Sequence, residues 1–138
     1  MEEVILADTG ALIAYLDESE EHHAWAVERW AAFTTTPIVC EAVLTEAAFL
    51  LWRQRRPMHI PLDMICCGAL RLDFDLAAEA AAVRDLMAHY TSVPMSLADA
   101  CLVRLSEKHE RCRVFTLDSD FRIYRRHRRR SIPLLIPQ

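Results

Sequence analysis

Short apolar runs alternate with longer helix-like segments along the whole chain, and this alternation limits the possible folds more than any other feature. The sequence predicts strands at residues 4–7, 37–40, 70–74, 113–117 and 133–136. It predicts helices at residues 11–16, 20–33, 41–53, 61–70, 76–89 and 94–109. Strands separated by helices require crossover connections, which produce a mainly parallel sheet with helices on its faces. We therefore expect residues 1–138 to form a single α/β domain with three layers, α/β/α, around a mainly parallel central sheet.

The composition is that of a compact domain with a full hydrophobic core. Of the 138 residues, 53% are hydrophobic and only two are glycine, which disfavours disorder. No apolar run approaches the length of about 18 residues that indicates a membrane-spanning helix. The chain begins Met1-Glu2-Glu3, whereas a secretory signal needs a basic start and a longer apolar stretch. We expect a cytoplasmic protein that does not cross a membrane.

The cysteine and histidine patterns argue against a zinc site. The five cysteines include no Cys-x-x-Cys pair, and the six histidines include no His-Glu-x-x-His motif. An odd number of cysteines in a cytoplasmic chain is typical of reduced, buried side chains. Zinc bound by thiolates is therefore not expected.

Four acidic residues end or interrupt apolar runs: Asp8, Glu46, Asp99 and Asp118. In a helix, residues three and four positions apart share a face. At that spacing Glu46 is flanked by Ala42, Val43, Phe49 and Leu50, and Asp99 by Met95, Ser96, Leu102 and Val103. Both carboxylates thus project from mainly apolar faces. An unpaired buried carboxylate either costs considerable free energy or gives up its charge, so these acids need a compensating partner.

The predicted topology suggests where the acids meet. Asp8 and Asp118 each follow a predicted strand, and ligands of open α/β sheets bind outside the carboxyl ends of the strands. If the first and fourth strands are neighbours, both carboxylates face one crevice, which Glu46 and Asp99 would enter from flanking helices. A divalent cation is the partner that oxygen ligands of this kind favour.

Each acid also has a structural interpretation. Asp8 could cap the first helix, and Asp99 could complete a capping box with Ser96. Asp118 and Asp120 could be ordinary turn residues. Glu46 fits such an interpretation least, since no arginine or lysine lies within one helical turn of it.

Four segments, taken in order, resemble the motifs of PIN-domain ribonucleases. They are Val4-Ile5-Leu6-Ala7-Asp8-Thr9, Ala42-Val43-Leu44-Thr45-Glu46, Leu97-Ala98-Asp99-Ala100 and Phe115-Thr116-Leu117-Asp118-Ser119-Asp120-Phe121. The resemblance spans essentially the whole chain and is greatest to VapC-like toxins of type II toxin–antitoxin pairs.

The resemblance implies roles for the polar residues of these motifs. Four would be catalytic and would hold Mg²⁺ or Mn²⁺: Asp8, Glu46, Asp99 and Asp118. Asp120 would be an accessory metal-binding acid, Thr116 the small hydroxyl residue near the site, and Thr9 a residue that helps to order it. The first and fourth strands would lie side by side.

The resemblance also implies an activity and partners. The expected activity is hydrolysis of RNA phosphodiester bonds by a Mg²⁺- or Mn²⁺-dependent endoribonuclease, leaving 5′-phosphate and 3′-hydroxyl ends. The spacing of the acids alone supports only metal-assisted phosphoester hydrolysis. The protein would be a toxin, with an antitoxin protein and a second copy of itself as partners. The alternative is a non-catalytic PIN-like module that binds a protein and whose acids are structural.

Six arginines lie between residues 122 and 130, in a chain whose net charge is −4. A local basic patch can attract nucleic acid even when the total charge is negative. We predict RNA-phosphate contacts by Arg128, Arg129 and Arg130, which stand where PIN-domain proteins often have a glycine turn. A solvated surface before the last strand is the other interpretation.

Tryptophan spacing predicts a protein contact. Trp25 and Trp30 are five positions apart, which is about 140° around a helix axis, so we expect one of them to lie outside the main core. Trp52 lies about 120° from Glu46 on the third helix and should face away from the acids. We expect Trp25 or Trp52 to contact a second copy of the chain or an antitoxin.

Overall fold

The computed structural model describes residues 2–138, which contain seven strands, six α-helices and one 3₁₀ helix. The strands are β1 (Val4–Ala7), β2 (Ile38–Val39), β3 (Arg71–Leu72), β4 (Cys112–Phe115), β5 (Arg125–Arg126), β6 (Arg130–Ser131) and β7 (Leu134–Leu135). The helices are α1 (Thr9–Leu16), α2 (His23–Ala31), α3 (Glu41–Arg53), α4 (Ile60–Cys66), α5 (Leu76–His89) and α6 (Leu97–Lys108), with the 3₁₀ helix η1 at Ser119–Arg122. No helix within this part of the chain is long and apolar enough to cross a membrane.

Five strands form a parallel sheet in the order β3-β2-β1-β4-β7, flanked by the six α-helices. The predicted parallel three-layer α/β/α fold is confirmed. The chain builds the sheet outward from β1 through β2 and β3, and then crosses to β4 and β7 on the other side. The strand order therefore reverses between β1 and β4, which is the position where open α/β sheets bind ligands. Leu6 and Ala7 in β1, and Val114 and Phe115 in β4, are fully buried.

Several element boundaries differ from the predicted ones. α2 begins at His23 instead of residue 20, so no acid lies in its first turn. α4 ends at Cys66, and Gly68 then takes a left-handed conformation with φ of 83°. β4 ends at Phe115, so Asp118 does not follow the strand directly as predicted but lies three residues beyond it.

A two-stranded antiparallel hairpin, β5–β6, was not predicted. Its turn contains His127 and Arg128, both left-handed with φ of 51° and 69°. The turn therefore uses the backbone conformation that glycine adopts most easily, but without a glycine. Before the turn, the buried Arg126 donates Nη1 hydrogen bonds to carbonyl oxygens at the end of α6, including that of Ser106 at 3.0 Å. Arg126 is thus a structural residue.

We predicted that Trp25 or Trp30 lies outside the main core; both are partly buried, outside the cluster of fully buried residues, and pack against it. Both rings pack against Phe115, with centroids 5.3 Å and 6.1 Å away, and Trp30 also stacks on Tyr15 at 4.1 Å. The two tryptophans diverge around the helix axis but reach the same phenyl ring from different directions. Trp52 is 60% exposed, which agrees with the prediction that it faces away from the acids on α3.

Candidate active site

Asp8 and Asp118 lie close to the point where the strand order reverses. β1 and β4 are paired along their whole length, up to the pair Ala7 and Phe115. Asp8 follows at once, and its backbone N–H donates to the carbonyl of Phe115 at 2.9 Å. Asp118 follows a two-residue connection from β4 and caps the start of η1. The side-by-side placement of the first and fourth strands thus brings both residues to the carboxyl edge of the sheet.

All four predicted acids line one cavity of about 520 Å³ at this edge. Its walls are formed by Asp8, Thr9, Gly10, Glu46, Phe49, Leu50, Ser96, Asp99, Leu117 and Asp118. α3 contributes Glu46 and α6 contributes Asp99, and these two helices contact each other. The lining residues, all within the described range 2–138, include no arginine, lysine or histidine. The cavity therefore concentrates negative charge without a neutralising side chain.

Three of the acids accept a hydrogen bond from a hydroxyl group on another part of the fold. Thr116 Oγ1 donates to Asp8 Oδ2 at 2.7 Å, and Thr9 Oγ1 donates to Glu46 Oε1 at 2.7 Å. Tyr124 donates its hydroxyl to Asp99 Oδ2 at 2.9 Å. Each bond fixes the direction of a carboxylate but brings no positive charge to it.

Sequence reasoning found Thr9 and Thr116 but missed Tyr124. Tyr124 is fully buried, and a buried tyrosine hydroxyl needs a hydrogen-bond partner. The available signal in the sequence was a tyrosine after η1, in a stretch otherwise rich in arginine. If its ring is buried, its hydroxyl group needs a hydrogen-bond partner. The sequence could not identify Asp99 as the partner, since they are 25 residues apart and meet only in the folded chain.

The predicted capping roles are present as well. Asp8 Oδ1 accepts from the backbone N–H of Thr9 at the start of α1, and Ser96 Oγ accepts from that of Asp99. Asp118 Oδ1 accepts from the backbone N–H of Asp120 at 2.9 Å. Each of these bonds uses at most one carboxylate oxygen. Capping therefore does not exclude a second role for the acids.

Burial changes the ionisation of two of these acids. It raises the pKa of Asp8 from 3.8 to about 7; the Thr116 and Thr9 hydrogen bonds oppose the shift, and the charges of Asp99 and Asp118 add to it. Burial also raises the pKa of Asp99, against the hydrogen bond from Tyr124. Burial and the Asp99 carboxylate raise the pKa of Tyr124, which remains a hydrogen-bond donor. The charged form of the site is thus unfavourable without a cation.

Asp17 shows how the same protein treats a structural buried acid. Its side chain is paired with Arg56 Nη2 at 2.8 Å and accepts two hydrogen bonds from Ser19. The Ser19 hydrogen bonds, with a smaller contribution from Arg56, hold the pKa of Asp17 below its usual value. Asp8 is equally inaccessible but has no such arginine.

The donors of the cavity fit a hard divalent cation, because Mg²⁺ and Mn²⁺ prefer carboxylate oxygens and readily keep several waters. Across residues 2–138, no three acidic, histidine or cysteine side chains are close enough to form a ready-made coordination set. A cation held by several of these acids would therefore require their side chains to move closer together. Asp120 is next to the site but does not line the cavity.

The predicted RNA-binding arginines are not at the cavity. Arg130 Nη2 pairs at 3.0 Å with Glu110 Oε1, and Glu110 lies just before β4, at the amino edge of the sheet. Arg128 and Arg129 are exposed in the hairpin turn. The structure thus unites the four acids and both threonines, and it places the arginines elsewhere.

Fold and cavity define a parallel α/β domain with an acid-lined pocket at the carboxyl ends of its central strands. The chain belongs to the PIN domain family, whose model matches residues 5–126. Among solved structures, the chain is similar to VapC20 of Mycobacterium tuberculosis, a toxin described as cleaving the sarcin–ricin loop. The TM-score is 0.74 at 19% identity, over 84% of this chain and 91% of that one. A search of curated protein sequences finds no match.

Proposed function

We propose that the protein is a divalent-metal-dependent endoribonuclease that hydrolyses RNA phosphodiester bonds, and that it acts as the toxin of a toxin–antitoxin pair. The observation that carries the proposal is the convergence of four acids in one cavity without a neutralising side chain. PIN-family membership and the fold shared with an RNA-cleaving toxin support it. A cytoplasmic location belongs to the same proposal.

Mg²⁺ or Mn²⁺ would be held by Asp8, Glu46, Asp99 and Asp118, with Asp120 as an accessory acid. A divalent ion held there would supply Lewis-acid chemistry, namely activation of water for attack on phosphorus and neutralisation of charge on the leaving oxygen. The protein's contribution is to hold the carboxylates in place through Thr116, Thr9 and Tyr124. Phe49, Leu50 and Leu117 form the apolar part of the cavity wall.

A cleavage assay with matched variants tests the proposal. We expect Asp8→Asn and Asp118→Asn to reduce Mn²⁺-dependent cleavage of RNA by purified protein by at least about 100-fold, while the fold is retained. Asp73→Asn is the control, because it removes the same charge from an exposed position whose ion-pair partner is Arg71. Its activity should equal that of the wild type, and EDTA should abolish activity in both. Full activity of Asp8→Asn would refute the assignment.

The second candidate is a non-catalytic protein-binding module with structural acids, which the capping bonds of Asp8 and Asp118 favour. A metal titration separates the two candidates, because capping acids need no ion. Saturable Mn²⁺ binding that is lost in Asp118→Asn favours the nuclease, and its absence favours the module.

We propose that the surface of α3 and α4 contacts a partner protein. Four large apolar side chains there are roughly half exposed or more: Phe49 at 53%, Trp52 at 60%, Met58 at 47% and Leu62 at 55%. Phe49 also lines the acid cavity, so a protein bound here would reach its rim. An antitoxin and a second copy of the chain are the two proposed partners.

A further inference from the structure

A second cavity, of about 650 Å³, lies between α5, α6 and the β5–β6 hairpin. It shares no lining residue with the acid cavity. Arg104, Arg125 and Arg128 line it together with Glu107, and the aromatic residues His89 and Tyr90 form part of its wall. A cavity with guanidinium groups and rings on one concave surface differs from an ordinary solvated arginine surface.

The acids at this cavity are already paired. Glu107 accepts from Arg104 Nη1 at 3.1 Å with one oxygen and from the backbone N–H of His127 at 2.7 Å with the other. Arg104 is further bound to Glu79 at 2.8 Å. Asp85, also in the lining, is paired with its exposed neighbour Arg84. These pairs leave little negative charge to balance the remaining guanidinium groups.

Arg125 and Arg128 supply the uncompensated positive charge. Arg125 Nη1 donates to the carbonyls of residues 122, 123 and 124, which fixes the side chain without neutralising it. Within residues 2–138, neither arginine has a carboxylate at ion-pair distance. The backbone of Arg128 is held in the left-handed region, at φ of 69°, and strained backbone of this kind recurs at binding sites.

We propose that this cavity is a second RNA-binding site, which holds one phosphate of a single-stranded RNA through Arg128 and Arg125 and stacks the adjoining base on the exposed ring of His89. Guanidinium groups bind phosphate oxygens, and aromatic rings beside a basic groove take up unstacked bases. The proposal rests on the ribonuclease function. Of the three arginines predicted to bind RNA, the proposal includes only Arg128, which lines the cavity. Arg129 does not line it, and Arg130 is paired with Glu110.

The test compares two neighbouring arginines with the same charge and exposure. A labelled single-stranded RNA of about ten nucleotides is titrated with the full chain in EDTA, and its fluorescence anisotropy is followed at several salt concentrations. We expect Arg128→Gly, which also suits the left-handed backbone, to weaken binding about three- to tenfold and to lower the salt slope by about 0.7. Arg129→Ala should stay within about twofold of wild type, and Arg128→Lys should retain most of the affinity.

Other outcomes overturn the proposal. Equal losses for Arg128→Gly and Arg129→Ala would show that only net charge matters. Competition by inorganic phosphate that matches unlabelled RNA would make the ligand a free anion, and equal binding of a duplex would exclude a site for unstacked bases. Because the titration needs no metal or cleavage, its result is separate from the Asp8→Asn assay. Either proposal can therefore fail while the other stands.

Discussion

At the scale of single residues, the acid cavity combines fixed carboxylates with uncompensated charge. A hydroxyl donor orients each of Asp8, Glu46 and Asp99, whereas the buried structural acid Asp17 has an arginine. A hydroxyl group directs a carboxylate without neutralising it, so the site remains unfavourable until a proton or a cation arrives. Asp8, with a pKa of about 7, is the residue at which we expect a proton and a cation to compete.

The raised pKa of Asp8 predicts how the stability of the metal-free protein depends on pH. Because the folded-state pKa of about 7 lies above the usual 3.8, the folded state binds the proton more tightly than the unfolded state. The resulting stabilisation is complete below the unfolded pKa and is lost as pH rises through about 7. Between pH 8 and pH 5.5, acidification should increase the free energy of unfolding by about 2 kcal/mol.

Urea denaturation in EDTA measures this difference, with Asp8→Asn as the comparison. The variant has no carboxyl group to protonate, so its stability should change less over the same range, and at pH 8 it should equal or exceed that of wild type. Burial raises the pKa of Asp99 as well, so protonation of Asp99 also stabilises the folded state. A wild-type protein that loses stability between pH 8 and pH 5.5 would contradict the account.

Tyr124 is predicted to position Asp99. Tyr124→Phe removes only the hydroxyl group and keeps the buried ring, so the core should remain packed. Loss of a bond that orients a metal ligand should weaken Mn²⁺ binding by roughly tenfold. Calorimetric Mn²⁺ titration checks this, with Tyr90→Phe as the control, since the Tyr90 hydroxyl accepts from the backbone of Arg125. Equal Mn²⁺ affinity of Tyr124→Phe and wild type would show that the hydroxyl group is merely structural.

At the scale of the elements, regular segments were predictable and the hairpin was not. The predicted bounds of α3 and α5 match those of the structure, because their apolar periodicity is uninterrupted and a proline or a capping acid lies nearby. The β5–β6 hairpin has no glycine or asparagine in its turn, so it lacks the usual sequence signal. Arg126 explains why it forms: its guanidinium binds carbonyl oxygens at the end of α6 and fixes the hairpin there.

The absence of a glycine from the β5–β6 turn leads to a prediction about the stability of the protein. Arg128→Gly should raise the free energy of unfolding by about 1 kcal/mol, because glycine takes the left-handed conformation without the steric penalty of a side chain. Arg129→Gly is the control. Arg129 does not have a positive φ, so there the substitution should be neutral or destabilising. Equal effects of the two variants in urea denaturation would show that the turn at Arg128 stores no strain.

At the scale of the whole molecule, the site depends on contacts between distant segments. The four carboxylates of the site could be predicted from the sequence because each one ends or interrupts an apolar run. The predicted parallel topology indicated where Asp8 and Asp118 meet. The Tyr124 bond and the second cavity could not be predicted, since both depend on how the segment after η1 packs against α5 and α6. The contact of both Trp25 and Trp30 with Phe115 could not be predicted either, because Phe115 is distant from both in the sequence.

The exposed surface of α3 and α4 predicts self-association. Burying Phe49, Trp52, Met58 and Leu62 would remove four large exposed apolar side chains from water. We expect a homodimer at micromolar concentration by light scattering, and Trp52→Arg should shift it towards the monomer. Glu28→Arg on the exposed side of α2 is the control and should leave the dimer intact. A wild-type monomer would refute the homodimer and leave an antitoxin as the proposed occupant of this surface.

The central claim is that the four acids form a cation site, and calorimetric titration of the metal-free protein with Mn²⁺ at pH 8 tests it most directly. We predict saturable binding at pH 8. When the titration is repeated at pH values closer to 7, the number of protons released per ion bound should increase, because the ion displaces the proton from Asp8. Binding should be lost in Asp8→Asn and Asp118→Asn and retained in Asp73→Asn. Absence of saturable binding in the wild type, or equal binding by all three variants, would contradict the account.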